Sequence, residues 1–264
     1  MLRAPLKWVG GKTRIIDRLK EHFPAGNRLV EPFAGSGAVM LNTDFPRYLM
    51  GDINPDLMNF HIDVRDNTEE LLDHAKWFFS TGNHENIYYR YRAEFNQLTT
   101  PSVYRSALFL FLNRHCFNGL CRYNAKGEFN VPYGRYPSPY LPEKEIMVFA
   151  DKAHSARFVT QSWLDTLKQV KHGDVVYLDP PYIPTSATAN FTAYAKEPFN
   201  LTHQRELAEA LFDLGSYGIP VIASNSNTPL AVDLYSKFKV ENIYAPRSVG
   251  GAAVAKEIIA KLNC

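Results

Sequence analysis

Asp174-Val175-Val176-Tyr177-Leu178-Asp179-Pro180-Pro181-Tyr182 is the stretch that decides the fold of this chain. Its run of β-branched and large apolar residues reads as a buried strand, and the two prolines forbid both continued ladder pairing and an immediate helix. The chain therefore turns at Asp179. That turn gathers a carboxylate, a proline-fixed carbonyl and an aromatic ring at the carboxyl end of a strand, where open α/β sheets keep their ligands. The trio suits a planar heterocycle with an exocyclic amine. Asp179 and the Pro180 carbonyl can accept the two amine hydrogens, while Tyr182 offers a stacking face. A lone Asp-Pro is more often an acidic turn capping a helix, but Asp-Pro-Pro-Tyr after a hydrophobic strand is far more specific.

Around this stretch, 264 residues suffice for one α/β domain with a sizeable insertion. No apolar run approaches a membrane span, and Met1 to Lys7 lacks the apolar core and cleavage site of a signal peptide, so a cytoplasmic protein is expected. Cys116, Cys121 and Cys264 match no zinc spacing, and an odd count gives no disulfide framework; they are read as reduced. The eight histidines form no metal-binding motif, so no metal is expected. A net charge of +2 is too mild to decide on a nucleic-acid partner. Charge distribution must decide it.

In chain order, Leu6-Lys7-Trp8-Val9-Gly10-Gly11-Lys12 precedes a helical pattern from Thr13 to Leu19. Its glycines let backbone approach a ligand, with Trp8 and Lys12 supplying a ring face and a cation. The spacing is not that of a P-loop. Next, Arg28 to Glu31 reads as a strand, Phe33-Ala34-Gly35-Ser36-Gly37 as a glycine bend, and Tyr48-Leu49-Met50-Gly51-Asp52 as a second strand ending in an acid. Glycines over the first strand and an acid after the second make a nucleoside site of Rossmann type. The third glycine of a dinucleotide fingerprint is missing, which favours a nucleoside without phosphates.

Residues 55 to 155 form a long insertion. Asp56 to Phe79 and Ile87 to Leu98 carry helical spacing, and Ala107 to Leu112 reads as the centre of a buried helix. From Tyr104 to Tyr136 the bases are Arg105, Arg114, Arg122, Lys126 and Arg135 against the single acid Glu128, a local charge of +4. Phe117, Tyr123, Phe129, Tyr133 and Tyr136 are interleaved with Asn113, Asn118, Asn124 and Asn130. A solvated basic face would explain the charges alone. Arginines, amides and aromatics together on a glycine-broken hairpin are what phosphate contact, base-edge readout and intercalation require.

These residues resemble the Dam family of DNA adenine-N6 methyltransferases, the GATC-specific members of the D12 class. The resemblance rests on Lys7 to Lys12, the Phe33 to Gly37 bend, Asp52, Asn113-Arg114, Phe117 to Asn124, Gly127 to Pro132, Asp179 to Tyr182 and Ser186 to Tyr194. It thus covers nearly the whole chain. It implies a Rossmann-like S-adenosylmethionine-dependent methyltransferase fold of the α/β class, formed by residues 1–54 and 156–264, with residues 55–155 as an inserted helical and β-hairpin DNA-recognition domain.

The same resemblance implies S-adenosyl-L-methionine as cofactor, held by Trp8, Lys12, Phe33, Gly35, Gly37, Asp52 and Asp179, with Asp52 on the ribose hydroxyls. Asp179, Pro180 and Tyr182 would be catalytic, and Asp179 would serve both cofactor and target amine. On double-stranded DNA, Arg122 would read a guanine, Leu120 a thymine methyl, and Phe117 would wedge beside the extruded base. Lys7 would reach another guanine, with Asn118, Asn124, Asn130, Pro132, Arg135 and Tyr136 completing the contacts. Many members carry Tyr where Phe117 stands, so a hydroxyl contact is lost here while the wedge remains. A monomer in solution is expected.

Four alternatives stay open: the same chemistry on a longer site containing GAT, on RNA or on a protein amide, or a DNA-binding regulator that has lost activity. Enzymes acting on protein amides typically carry Asn where Asp179 stands. Further strands are predicted at Arg157 to Thr160, Ile219 to Ser224, Val240 to Tyr244 and Ala255 to Leu262, with a helix from Leu201 to Leu214. Ser162 and Trp163 are candidates to border the cofactor's adenine, with a place in the core as the other reading of Trp163. Ser186 to Tyr194 is read as a loop that orders over DNA, and Arg247 to Gly251 as a phosphate-touching tip.

Overall fold

Short apolar runs separated by glycine and proline turns become the strands of one seven-stranded sheet. The computed structural model describes residues 1–183, 199–246 and 254–264. The predicted loop at Ser186 to Tyr194 and tip at Arg247 to Gly251 lie outside the described residues. Arg28–Glu31 (β1), Tyr48–Asp52 (β2), Ala156–Thr160 (β3), Asp174–Leu178 (β4) and Val221–Ser226 (β5) pair in parallel. Lys239–Pro246 (β6) and Val254–Leu262 (β7) close the sheet as an antiparallel pair, giving the order β3-β2-β1-β4-β5-β7-β6. The chain steps from β1 out to β3 and then returns to β4 on the other side of β1. This reversal makes a topological switch point where the carboxyl ends of β1 and β4 lie side by side.

Every residue of β4 is buried, and after Asp174, whose carboxylate is paired with Arg28, its sequence is continuously apolar rather than alternating. Side chains still alternate between faces. Leu29, Met50, Val175 and Ile222 join one core cluster, whereas Val30, Leu49, Val176 and Ala223 join the other. The first cluster continues into the helices between β2 and β3; the second is covered by Trp163–Leu167 (α8), Leu201–Ser216 (α9) and Pro229–Leu234 (α10).

The predicted helix after Lys12 divides into a 3-10 turn, Lys12–Ile15, and a five-residue helix, Ile16–Lys20 (α1); Ala38–Asn42 (α2) follows the glycine bend. The pattern from Asp56 to Phe79 divides as well, into Pro55–Asp66 (α3) and Thr68–Ser80 (α4). Asn54 starts the former by accepting from the backbone N–H groups of Asp56 and Leu57, with Pro55 in the first turn. Glu85–Gln97 (α5), Val103–His115 (α6) and Glu143–Ala153 (α7) complete the helices before β3.

The hairpin expected from Tyr104 to Tyr136 is shorter than its sequence suggested. Residues up to His115 belong to α6, and the hairpin proper is held by isolated bridges pairing Cys116 with Tyr133 and Tyr123 with Phe129. Two of the five counted bases are thereby structural. Arg105 bonds Asp56 at 2.8 Å and lies over the Phe95 ring, and Arg114 is buried over the Tyr140 ring. The helix turns both toward packed elements, so neither adds to an exposed basic face.

Candidate active site

The switch point brings Lys12, Glu31, Asp179, Tyr182 and Glu257 together. Lys12 Nζ lies 2.8 Å from Asp179 Oδ1 and 4.0 Å from Glu257 Oε2. The same ammonium donates to the Gly10 carbonyl at 3.0 Å and sits 4.8 Å from the centre of the Tyr182 ring. Tyr182 donates its hydroxyl to Glu257 Oε2 at 2.8 Å. Burial raises the Asp179 carboxyl above its ordinary range, with the Lys12 charge pulling it back. Glu31 ends β1 fully buried, and its Oε1 has no partner among the described residues. Burial first, and the Asp179 charge second, hold the Glu31 carboxyl well above the usual carboxylate range.

A buried polar clamp carries the turn after Asp179. Gln204 on α9 donates to the Pro181 carbonyl at 2.6 Å, and Asn225 on β5 donates to Gln204 Oε1 at 3.1 Å. Asn225 Oδ1 accepts from the Ile183 backbone N–H at 3.2 Å, and Ser226 Oγ donates to the Ile183 carbonyl at 2.7 Å. Gln204 and Asn225 are fully buried. The two-proline turn, which can donate few hydrogen bonds itself, is thus held from outside.

On the neighbouring strand ends, Asp52 accepts from the backbone N–H of Gly35 at 3.2 Å and of Asn54 at 3.0 Å. These bonds oppose the burial that raises its pKa. Gly35 has φ +50° and a Cβ there would lie 2.9 Å from Trp8 Nε1, so this position takes only glycine. Its carbonyl is bonded by His61 Nε2 at 2.8 Å, a ring stacked against both Phe149 and Phe158. Burial lowers the His61 pKa to about 4. Ile53 follows Asp52 and is more than half exposed at the edge of this site, while Phe33 packs edge-on to Phe199.

Beside the site, Asn113 joins the N-terminal segment to the hairpin. Its Oδ1 accepts from the Lys7 N–H at 2.8 Å, and its Nδ2 donates to the Lys7 carbonyl at 2.8 Å and the Gly119 carbonyl at 3.3 Å. Gly119 has φ +62°, and a Cβ there would meet Lys7 Cβ at 2.4 Å. Lys7 Nζ lies 4.1 Å over the Tyr136 ring, and Tyr136 Oη accepts from the Asn118 N–H at 2.8 Å. Burial, then the charge of Arg114, lower the Lys7 pKa. On the hairpin, Arg122 Nε donates to Asn130 Oδ1 at 2.8 Å, and Asn124 caps the tip by accepting from Lys126 and Glu128.

Residues 8–249 match the family model of the D12 class N6 adenine-specific DNA methyltransferases. The chain belongs to this family. It is therefore an adenine-specific DNA methyltransferase, and DNA is its substrate. Among its relatives, the DNA adenine methylase of Salmonella typhi is 48% identical over 94% of this chain and 89% of its own length. That of Serratia marcescens is 45% identical over 98% and 97%, and the Retron Ec67 DNA adenine methylase of Escherichia coli is 48% identical over 97% and 90%.

In this D12-class methyltransferase, Trp8, Lys12, Gly35, Asp52, Asp179 and Tyr182 meet at the ends of β1, β2 and β4, although they come from four stretches of sequence. Gly37 caps α2 in the left-handed region. Lys7, Asn118 and Tyr136 gather where the hairpin meets the N-terminal segment, and Leu120 is half-buried just beyond Gly119. Phe117, Arg122, Pro132 and Arg135 are exposed on the hairpin, whereas the side chains of Asn124 and Asn130 are engaged within it. Glu31, Ile53, Gln204, Asn225 and Glu257 were not singled out as site residues from sequence, and Asn113 only as one of the amides interleaved with the basic residues. A polar run, Ser224-Asn225-Ser226, at the end of an apolar strand was the available signal for one of them. Among the described residues no helix is long and apolar enough to cross a membrane, and no group of His, Cys, Asp and Glu could hold a metal ion.

Proposed function

We propose that this methyltransferase acts as a monomer on double-stranded DNA, extrudes the adenine of GATC and methylates its N6 from S-adenosylmethionine. The observation that carries this reading is the cluster of Lys12, Asp179 and Tyr182 beside the Asp52 and Gly35 bend. The cofactor is cationic at its sulfonium, and the residues present fit it. Glu31 Oε1, which has no partner among the described residues, offers that cation an acceptor beside Asp179, and the glycine at 35 lets the Trp8 indole close against the bend. Trp8, Lys12, Phe33, Gly35, Gly37, Asp52 and Asp179 would hold it, with Ile53 against its adenine. S-adenosylmethionine supplies an electrophilic methyl group.

The protein's work is positional and electrostatic. A paired adenine inside a duplex cannot reach Asp179, so the base must leave the stack at a cost of a few kcal/mol. Phe117, half exposed on the hairpin turn, would fill the gap. Asp179 and the Pro180 carbonyl accept the amine hydrogens, Tyr182 stacks on the base, and Asp179 stabilises the positive charge that develops on N6. An exocyclic amine is too weak an acid for a carboxylate to deprotonate beforehand. Its proton therefore leaves after transfer.

Recognition falls to the hairpin residues 117–136 together with Lys7, within the 55–155 segment. Arg122, oriented by Asn130, would read guanine through two bonds, a pairing worth about 1–3 kcal/mol of discrimination. Arg122→Ala is expected to relax selectivity at that guanine while leaving cofactor affinity unchanged; equal rates for wild type and variant on duplexes altered there would reassign the residue. The reading as a whole is tested by labelled methyl transfer to matched duplexes containing GATC, GATATC or a scrambled site, at two salt concentrations. Transfer confined to GATC is expected. Equal transfer to the scrambled duplex would refute the site assignment, and no transfer with cofactor bound would refute duplex DNA as the substrate.

A further inference from the structure

We propose that Glu257 is a positioning residue of this site, fixing the plane of the Tyr182 ring through the phenol hydroxyl. The inference rests on the proposed reading of Tyr182 as the stacking face. Glu257 belongs to β7, opposite Ser226 of β5 and Ile243 of β6. It is far in sequence from the stretch that carries Tyr182. Yet its Oε2 is 2.8 Å from the Tyr182 hydroxyl and 4.0 Å from Lys12 Nζ, in a position only 13% exposed.

A tyrosine ring can turn about its side-chain bonds unless something holds its far end. Here the near face is met by Lys12, 4.8 Å from the ring centre, and the far end is bonded to a carboxylate. Those two contacts define a plane. A charged acceptor suits the task, because hydrogen bonds to ionised groups are shorter and stronger than neutral ones. Burial and the neighbouring carboxylates push the phenol pKa far up, so the hydroxyl remains a donor. Lys12 stands between two acids, closer to Asp179 than to Glu257. The ammonium therefore stays paired with Asp179, and Glu257 acts on the site through the Tyr182 hydroxyl.

The test is a double-mutant cycle on the full-length enzyme, with methyl transfer to a GATC duplex by the wild type established first. Glu257→Ala and Tyr182→Phe each remove one end of the bond. Each is expected to lower kcat about tenfold, and the double variant to lie within about twofold of Tyr182→Phe alone. Losses that multiply, or a Glu257→Ala enzyme with wild-type kcat, overturn the proposal.

A duplex with 2-aminopurine at the target position adds a readout that general destabilisation does not move. Its extruded base is expected to fluoresce more brightly in Glu257→Ala, where the ring no longer stacks in register. Glu257→Gln, which keeps an acceptor for the hydroxyl, is expected to restore quenching; failure to do so overturns the proposal. Should Glu257→Ala not fold, Glu257→Asp, one methylene short of the hydroxyl, takes its place in the same cycle with the same two outcomes. If the wild type methylates no duplex, the functional reading fails. If it does and the cycle is additive, only the role of Glu257 fails.

Discussion

A carboxylate that must accept an amine hydrogen works only while ionised, and burial makes Asp179 harder to ionise than a free acid. Raised in the folded protein, its titration should place the acid limb of kcat/KM, which reports the free enzyme, above the ordinary value of 3.8. A limb at or below 3.8 would show that some other group governs it. Asp179→Ala should lower kcat on the order of a thousandfold while DNA affinity stays near wild type, as gel shift and single-turnover transfer can measure. Near wild-type turnover would remove Asp179 from the chemistry. Tyr182→Ala should cost more than Tyr182→Phe, since the first removes the ring and the second only its anchor. Asp52 and Asp179 stood out because each comes at the end of an apolar strand, and Tyr182 because it closes the two-proline turn that follows. Glu31 sat in a quoted motif, but its orphaned oxygen depends on what surrounds it, which no spacing records.

The elements were largely legible too, because apolar periodicity is local. All seven strands lie where their patterns put them, whereas the helical stretch after Asp56 hid a break at Asn67 and the basic segment after Tyr104 hid the rest of α6. Charge counted along sequence could not reveal that Arg105 and Arg114 face packed elements. What joins elements was not legible, and the clamp on Pro181 and Ile183 is the instance with the largest consequence. Asn225→Ala would strip partners from the Ile183 N–H and from Gln204 Oε1 in a buried setting. Each unsatisfied group costs about 1–3 kcal/mol, so urea unfolding should show a loss of about 2–6 kcal/mol. Transfer should fall as well, because the turn carrying Pro180 and Tyr182 loses its anchors; a loss under 0.5 kcal/mol would mean the clamp carries no strain.

Across the whole molecule, one apolar cluster runs from the sheet residues Leu29, Met50 and Val175 into Phe60, Phe109 and Phe149 of the helices between β2 and β3. The sheet and the helices inserted between β2 and β3 therefore share a core, and unfolding should be a single transition by fluorescence and by far-UV circular dichroism. Two separated midpoints would refute the shared core. His61 sits in that core, stacked on Phe149 and Phe158 and bonded to the Gly35 carbonyl of the glycine bend. Its folded pKa is about 4 against 6.5 unfolded, so below 6.5 the unfolded chain binds the extra proton. The stability His61 contributes is present above 6.5 and drains away as pH falls toward 4. Glu31, Asp52 and Asp179, with raised folded pKa values, act with the opposite sign, so the total slope mixes both. The histidine is isolated by comparing wild type with His61→Gln. The wild-type advantage should shrink by about 2 kcal/mol between pH 7 and pH 5, and an advantage independent of pH would mean that His61 takes up its proton without leaving the fold.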